Sequence, residues 1–325
     1  MPAALGNPPV TRFILTRLAL LVPVLLGVTV IVFVVMWLVP GDPATSILGT
    51  FATPENLAKV RSELGLTEPM PVRYLIWLRG VLHGDFGQSY ILHRPVLDEL
   101  LDRLFPTLLL AGVSLALCSV VGILLGIMAA MRQNAWPDRV ITLVVLLGVS
   151  TPSFWLGMLL ILWFAVRFAW LPAGGMQEMF GPGGPLEIAR HLVLPTLALS
   201  AVPAAVLVRL TRTAMLEVMR QDYVRTARAK GLREGRVILR HAFLNALVNV
   251  VPIIGIEAGY VLGGAVYIES VFQWPGIGRM LVNAISTRDI ILVQGGVLIV
   301  AAAYVLINLL TDVAQGLLDP RIRGA

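Results

Sequence analysis

The sequence predicts an all-α integral membrane protein with six transmembrane helices. The chain of 325 residues is 57% hydrophobic and only 14% charged, too apolar for a soluble domain. Its apolar residues gather into runs near or above the ~20 residues that a bilayer core requires. The basic residues lie mainly between those runs, which accounts for the net charge of +6 by the positive-inside bias and excludes a nucleic-acid partner.

The six spans are expected at Phe13–Leu38, Leu104–Met131, Val140–Phe168, His191–Leu210, Ala246–Ile268 and Ile290–Leu310. Arg12 and Arg17 precede the first run as in a secretory signal, but its apolar stretch from Leu18 to Val39 outlasts a signal h-region, so it is read as a retained first helix. Short loops set orientation. Arg132 and Arg139, the nine basic residues between Arg209 and Arg240, and Arg321 and Arg323 place both termini and those loops in the cytoplasm. Residues 40–103 then form a long extracytoplasmic segment. Within it, Thr53 caps and Pro54 opens a short helix that Gly65 stops. Val72–Val81 is a second, amphipathic helix, and Gly84-Asp85-Phe86-Gly87 is a turn. The Gly- and Pro-rich loop 174–185 is expected to be irregular. The whole chain, 1–325, is treated as a single transmembrane domain without internal repeats.

Residues 211–245 form the most informative loop. The sequence predicts one helix running to about Lys230, a break at Gly231, and a second helix from about Glu234 to Asn245. Leu210, Ala214, Val218, Val224 and Ala227 make a partial apolar stripe beside a basic face. A basic juxtamembrane segment can simply lie on anionic lipid. A slim tip containing Ala227 and Ala229, with a Gly able to take a left-handed turn, suits insertion into a groove of another protein. The proposed tip comprises Arg225, Thr226, Ala227, Arg228, Ala229, Lys230, Gly231 and Leu232.

Inside the spans, Gly255, Gly259 and Gly263 recur every four residues and allow close helix approach. Glu257 points away from that face. A carboxylate at such depth should face the bundle interior or a wet cavity, either lining a path or pairing with a buried polar group. Weaker path candidates are Asn249 in the same span and Ser150 and Ser153 around Pro152, where freed backbone groups need hydroxyl partners.

No Gly-x-x-x-x-Gly-Lys-Ser/Thr occurs, and Lys230-Gly231 has the wrong order for a phosphate loop, so the chain is not expected to hydrolyse ATP. His83, His93, His191 and His241 lack metal-ligand spacing, and no nucleophile constellation is readable. The single Cys118 excludes a disulfide framework. Catalytic, cofactor and metal sites are accordingly expected to be absent from this chain.

The stretch Arg225-Thr226-Ala227-Arg228-Ala229-Lys230-Gly231-Leu232 resembles the coupling motif of ABC-type import permeases, in the form found in the dipeptide, oligopeptide and nickel branch. Aligning Gly231 with the Gly of the general motif puts Arg225-Thr226-Ala227 on its E-A-A and Phe243-Leu244 on its L-P, so the Glu and Pro are missing. The flanks resemble the branch on both sides: Val208–Arg212, Met215–Val218 and Arg236–Ala242. So do Pro40-Gly41-Asp42-Pro43, Leu64-Gly65-Leu66, Gly84–Gly87, Trp170-Leu171-Pro172, Trp274–Gly278 and Asp319–Arg323, in order. The resemblance implies a type I ABC importer permease fold in the inner membrane and alternating access. Its implied partners are a sister permease subunit in a heterodimer, two cytoplasmic ATPase subunits that bind ATP and Mg, and an extracytoplasmic solute-binding protein. Dipeptides or short oligopeptides are the expected cargo, with nickel, glutathione or another small solute as alternatives. An ATP-independent carrier or channel is the rival of a different class, which would call for paired inverted halves or an ionisable relay.

Overall fold

Thirteen helical segments in chain order organise the described part of the molecule. The computed structural model describes residues 10–38, 43–48, 52–63, 65, 67–89, 91–178, 181 and 183–318. They form α1 (Val10–Leu38), α2 (Pro43–Leu48), α3 (Pro54–Glu63), α4 (Met70–Leu82), a two-residue antiparallel ribbon β1 (Gln88–Ser89) and β2 (Arg94–Pro95), α5 (Val96–Met131), α6 (Trp136–Ser150), α7 (Ser153–Leu160), α8 (Pro185–Met219), α9 (Asp222–Ala229), α10 (Glu234–Arg236), α11 (Leu244–Val271), α12 (Ile277–Ser286) and α13 (Ile290–Leu318). The expected turn at Pro40-Gly41-Asp42, Leu64 and Leu66, and the C-terminal Asp319–Arg323 lie outside the described residues.

Among the described residues, five helical stretches are long and apolar enough to cross a membrane: Ile14–Leu38, Val96–Met131, Pro185–Met219, Glu234–Val271 and Ile290–Gly316. The third expected span, Val140–Phe168, is not one straight helix. α6 and the stretch Ser153–Arg167 meet at a bend of 103°, and they make a sixth span only as a broken one. Pro152 is the physical reason: its ring has no N–H and disfavours helical backbone at Thr151, which is extended with ψ 119°. The Thr151 hydroxyl donates to the Leu147 carbonyl at 2.7 Å. Among the described residues it is the Thr151 hydroxyl, rather than that of Ser150 or Ser153, that meets a carbonyl at this helix end. Past the bend, Ile161–Arg167 widens into a π-helical stretch.

The chain divides into two compact units, to both of which α1, α5 and α13 contribute. The unit of Ala19–Thr107 with Pro275–Val305 holds most of the long segment after span one. Asn56 N–H donates to the Thr53 hydroxyl at 3.3 Å, the expected cap of α3, and Gly65 turns left-handed at φ +61°. The α4 helix seats Tyr74 and Trp77 against Phe33 of α1, with the Tyr74 hydroxyl 2.9 Å from that of Thr29. The short helix α12 is absent from the sequence expectation. It buries Ile277, Met280, Leu281 and Ala284 against Val96, Leu100, Leu292 and Val293. Asp289 caps α13 through Leu292 N–H at 3.2 Å and accepts a hydrogen bond from buried Ser89. Arg94 and Arg103 both bind the carboxylate of buried Glu99.

The other unit contains Leu108–Trp274. Its long helix α8 packs on α5, α6, α7 and α11. One cluster joins Leu110, Leu192, Leu199, Val261, Ile268, Phe272 and Trp274. Another joins Leu207, Met215, Val218, Val224, Ala227, Val237, Ala242 and Val250. Gly122 and Gly126 on α5 let α8 approach closely: a Cβ on either would meet the Leu207 or Thr211 side chain. On α11, Gly255 abuts Thr311 of α13, and Gly264 faces Leu199, whereas Gly263 has no neighbour within 4 Å in this chain. The expected Gly255/Gly259/Gly263 packing face is therefore used at Gly255 and left open at Gly263.

Candidate functional site

The loop expected at 211–245 is shaped differently from its forecast. The helix entering it does not run to Lys230, because α8 stops at Met219 and the chain turns at Arg220 and Gln221 before α9 begins. Burial explains the break. At 100° per residue, Val224 and Ala227 would lie about 240° and 180° around a continuous helix from Val218. The turn lets all three join one core cluster. The second helix does not end near Asn245 either. It starts at Glu234, passes through a π-helical stretch at Val237–Phe243, and continues into span five as α11.

Within α9 the two faces separate cleanly. Val224 and Ala227 are buried, whereas Arg225, Thr226 and Ala229 are exposed, as are Lys230 and Gly231 beyond them. Ala227, expected to slim the exposed tip, is instead part of the anchor that seats α9 on α8 and the stretch after α10. Leu232 and Arg228 are partly buried. Tyr223, missed in the sequence, adds an exposed aromatic ring beside the basic face.

Backbone and side chain together fix the turn after α9. Lys230 N–H reaches Thr226 O at 3.0 Å and Gly231 N–H reaches Arg228 O at 2.9 Å. Gly231 lies at φ +74°, where a side chain is disfavoured. Across the turn Arg228 grips Glu234, with Nη2–Oε1 at 2.8 Å and Nε–Oε1 at 3.2 Å. That carboxylate pushes the Arg228 guanidinium above its already high ordinary value. Arg225 stands 3.6 Å from Asp222, and Thr226 Oγ1 donates to Asp222 O at 2.9 Å. The result is a short, closed, positively charged prong on a buried apolar base. Such a body can transmit a push, whereas a solvated tail cannot.

The weaker path residues are not gathered into one place. Glu257 is 7% exposed on α11 and has no hydrogen bond or ion pair among the described residues. Ser150 and Asn249 are exposed on this chain, and Ser153 is partly buried. Four further buried acids, Glu99, Asp138, Glu269 and Asp289, are not among the residues that the sequence singles out. Glu269 is fully buried near the end of α11, and Asp138 lies in the first turn of α6, where its carboxylate meets Arg212 of α8. Trp136-Pro137 marks that helix start, but no local signal pairs Asp138 with a residue 74 positions on.

Comparison with known proteins matches this architecture. Residues 122–324 match the family described as binding-protein-dependent transport system inner membrane component, and residues 10–111 match the N-terminal part of that membrane component. A putative peptide permease of Brucella ovis is 41% identical over 315 residues, covering 96% of this chain and 99% of that protein. The dipeptide transport system permease DppB of Alkalihalophilus pseudofirmus is 39% identical over 332 residues, with the same coverages. The glutathione transport system permease GsiC of Salmonella choleraesuis is 42% identical over 312 residues, again covering 96% and 99%. With such similarity along nearly its whole length, this multi-pass membrane chain belongs to the family of inner membrane components of binding-protein-dependent, ABC-type transport systems.

Proposed function

We propose that the chain is one half of the pore of an ATP-driven importer for dipeptides or short oligopeptides, and that separate ATPase subunits drive it through the α9 prong. The observation that carries the docking role is the prong itself: basic and exposed on one face, seated by Val224 and Ala227 on the other, and closed by Gly231 and the Arg228–Glu234 pair. A lipid-binding basic segment gains nothing from that closure. Nucleotide-driven approach of the ATPases would displace the prong as a body, and the helices continuous with it or packed on it would exchange outward- for inward-facing states. In this arrangement both termini and the prong are cytoplasmic, residues 40–103 lie outside with a solute-binding protein above them, and a sister permease completes the pore. ATP and Mg belong to the partner ATPases. Peptide cargo is supported by the names of the Brucella and Alkalihalophilus relatives, and glutathione by that of the Salmonella relative.

The test is reconstitution of the chain with its sister permease, ATPases and binding protein in vesicles. Labelled dipeptide should accumulate only with ATP and binding protein present, and excess unlabelled dipeptide should compete better than glutathione. Uptake without ATP, or failure of a Walker-A-bearing subunit to co-purify, would overturn the mechanism. Preferential competition by glutathione would overturn the cargo.

A further inference from the structure

Two turns before its end, α8 is gripped from two directions. From α5, Gly126 brings the backbone against Thr211, where an added Cβ would lie 2.6 Å from Thr211 Cβ and 2.9 Å from Val208 O. From α6, Asp138 receives Arg212 as a fork, Nε–Oδ1 and Nη2–Oδ2 both at 2.7 Å. A third donor, the Asn134 N–H, reaches Asp138 Oδ2 at 2.9 Å from a left-handed turn at φ +64°. Asp138 is only 4% exposed.

A buried ion pair is a poor source of stability compared with a well-packed apolar pair, but it holds one geometry, since sliding it apart leaves a buried charge uncompensated. The bidentate fork fixes direction as well as distance. Apolar ridges of Val and Leu along two helices impose no such single register. The pair also sits at a telling place. Arg212 lies on the helix that leads directly into α9, and Asp138 opens the helix that ends at the 103° bend.

We infer that Asp138 and Arg212 form a positioning joint that makes α6 move with the base of the coupling prong, so that displacement of the prong reaches the bent pair at Thr151–Pro152. The inference rests on the proposed docking of an ATPase at α9. Neither residue is exposed at the prong or part of its closing turn, so the joint acts through α8. Loss of the joint therefore uncouples: the ATPases still dock and turn over, but less solute moves per ATP.

The complete reconstituted importer tests this with two readouts, labelled dipeptide taken up per ATP hydrolysed and the amount of assembled complex. Asp138→Asn and Arg212→Gln should each lower uptake per ATP about fivefold or more while the ATPases still co-purify. Their combination should be no worse than either alone, because each removes the same contact. Arg212→Lys, which keeps the charge and loses the fork, should fall between. Independently of cargo, nitroxides at Trp136 and Thr213 in a Cys118→Ser background should keep one narrow distance distribution through ATP binding, and Asp138→Asn should broaden it. An unchanged uptake-to-ATP ratio in a working complex would overturn the joint alone. Loss of assembly in all variants, Arg212→Lys included, would assign the pair to folding and overturn it as well. A wild-type complex that neither binds nor hydrolyses ATP would instead sink the docking role beneath it.

Discussion

At Gly231 the consequence of a side chain can be worked out in advance. The residue lies at φ +74°, and a Cβ built there would meet no heavy atom within 4 Å. Steric clash is thus removed as a cause, and only backbone preference remains. An L-residue forced into this region costs roughly 1–2 kcal/mol, somewhat less for Asn and more for a β-branched residue. By the factor of ten per 1.4 kcal/mol, Gly231→Ala should lower the ratio of closed to open prong by about five- to thirtyfold and Gly231→Val by more, while Gly231→Asn stays nearest to wild type. ATP-dependent uptake by equal amounts of assembled complex should fall in the order Gly, Asn, Ala, Val. The Arg228–Glu234 pair on the same turn provides a check, since Arg228→Ala should weaken the same closure without touching φ. Full uptake in Gly231→Val would refute the requirement for a left-handed turn. Equal defects in Asn and Val would show that surface bulk at the docking face, not backbone conformation, sets the limit.

Three further sets of substitutions separate packing, path and topology. Gly126→Ala should lower the melting temperature of the purified complex by an overpacking cost of about 1–3 kcal/mol, because its Cβ would crowd Thr211, whereas Gly112→Ala, with nothing within 4 Å, should not. A melting temperature unchanged at both would mean that α5 and α8 are not held as closely as they stand. Glu257 has no hydrogen-bond partner among the described residues, so Glu257→Gln and Glu257→Leu should both assemble normally, while loss of its charge lowers uptake roughly tenfold, the scale of one charge-assisted contact of about 1.5 kcal/mol. Wild-type uptake in both would remove the residue from the path. Cysteines at Arg73 and Arg233 in a Cys118→Ser background should react with an impermeant reagent from opposite sides of the membrane, Arg233 only after permeabilisation, and labelling of both from one side would reverse or break the proposed topology.

What the residues disclose and what they hide divide along physical lines. Long apolar runs and capped short helices are local, so five spans, the Thr53 cap and the left-handed Gly231 are legible from neighbours in sequence. The bend at Thr151–Pro152 is half legible. Pro152 stands out, but transmembrane helices tolerate proline when other groups meet the freed carbonyls, and sequence alone does not say whether the helix kinks or turns by 103°. Spacing of four points to Gly255, Gly259 and Gly263, yet Gly122 and Gly126 have the same spacing and make the close contact with α8. Periodicity marks where a helix can approach and is silent on which one does. The α12 helix does carry a sequence signal, in Ile277, Met280, Leu281 and Ala284 at steps of three and four, but it is short and stands between two long spans. The Asp138–Arg212 pair has none, because its partners meet only after α6 and α8 have packed.

The break at Arg220 and Gln221 bears most on mechanism. A continuous helix through Lys230 would have projected α9 away from the core, held only at its root, and a force at the tip would bend it. With the turn in place, Val224 and Ala227 rest in the same cluster as Met215 and Val218 from α8 and Val237 and Ala242 from the stretch leading into α11. The prong is thereby bonded to two long helices at once, to α8 through the chain before it and to α11 through the chain after it, with the Arg228–Glu234 pair closing the gap between. A push on Arg225, Thr226 and Ala229 then has no soft element to collapse into until it reaches the bend at Pro152 or the π-helical stretch at Val237–Phe243. Interruptions of the regular helical ladder are where a helix most readily kinks, so the places where motion can be released lie beyond the prong, in or near the spans, where the proposed change of access would take place.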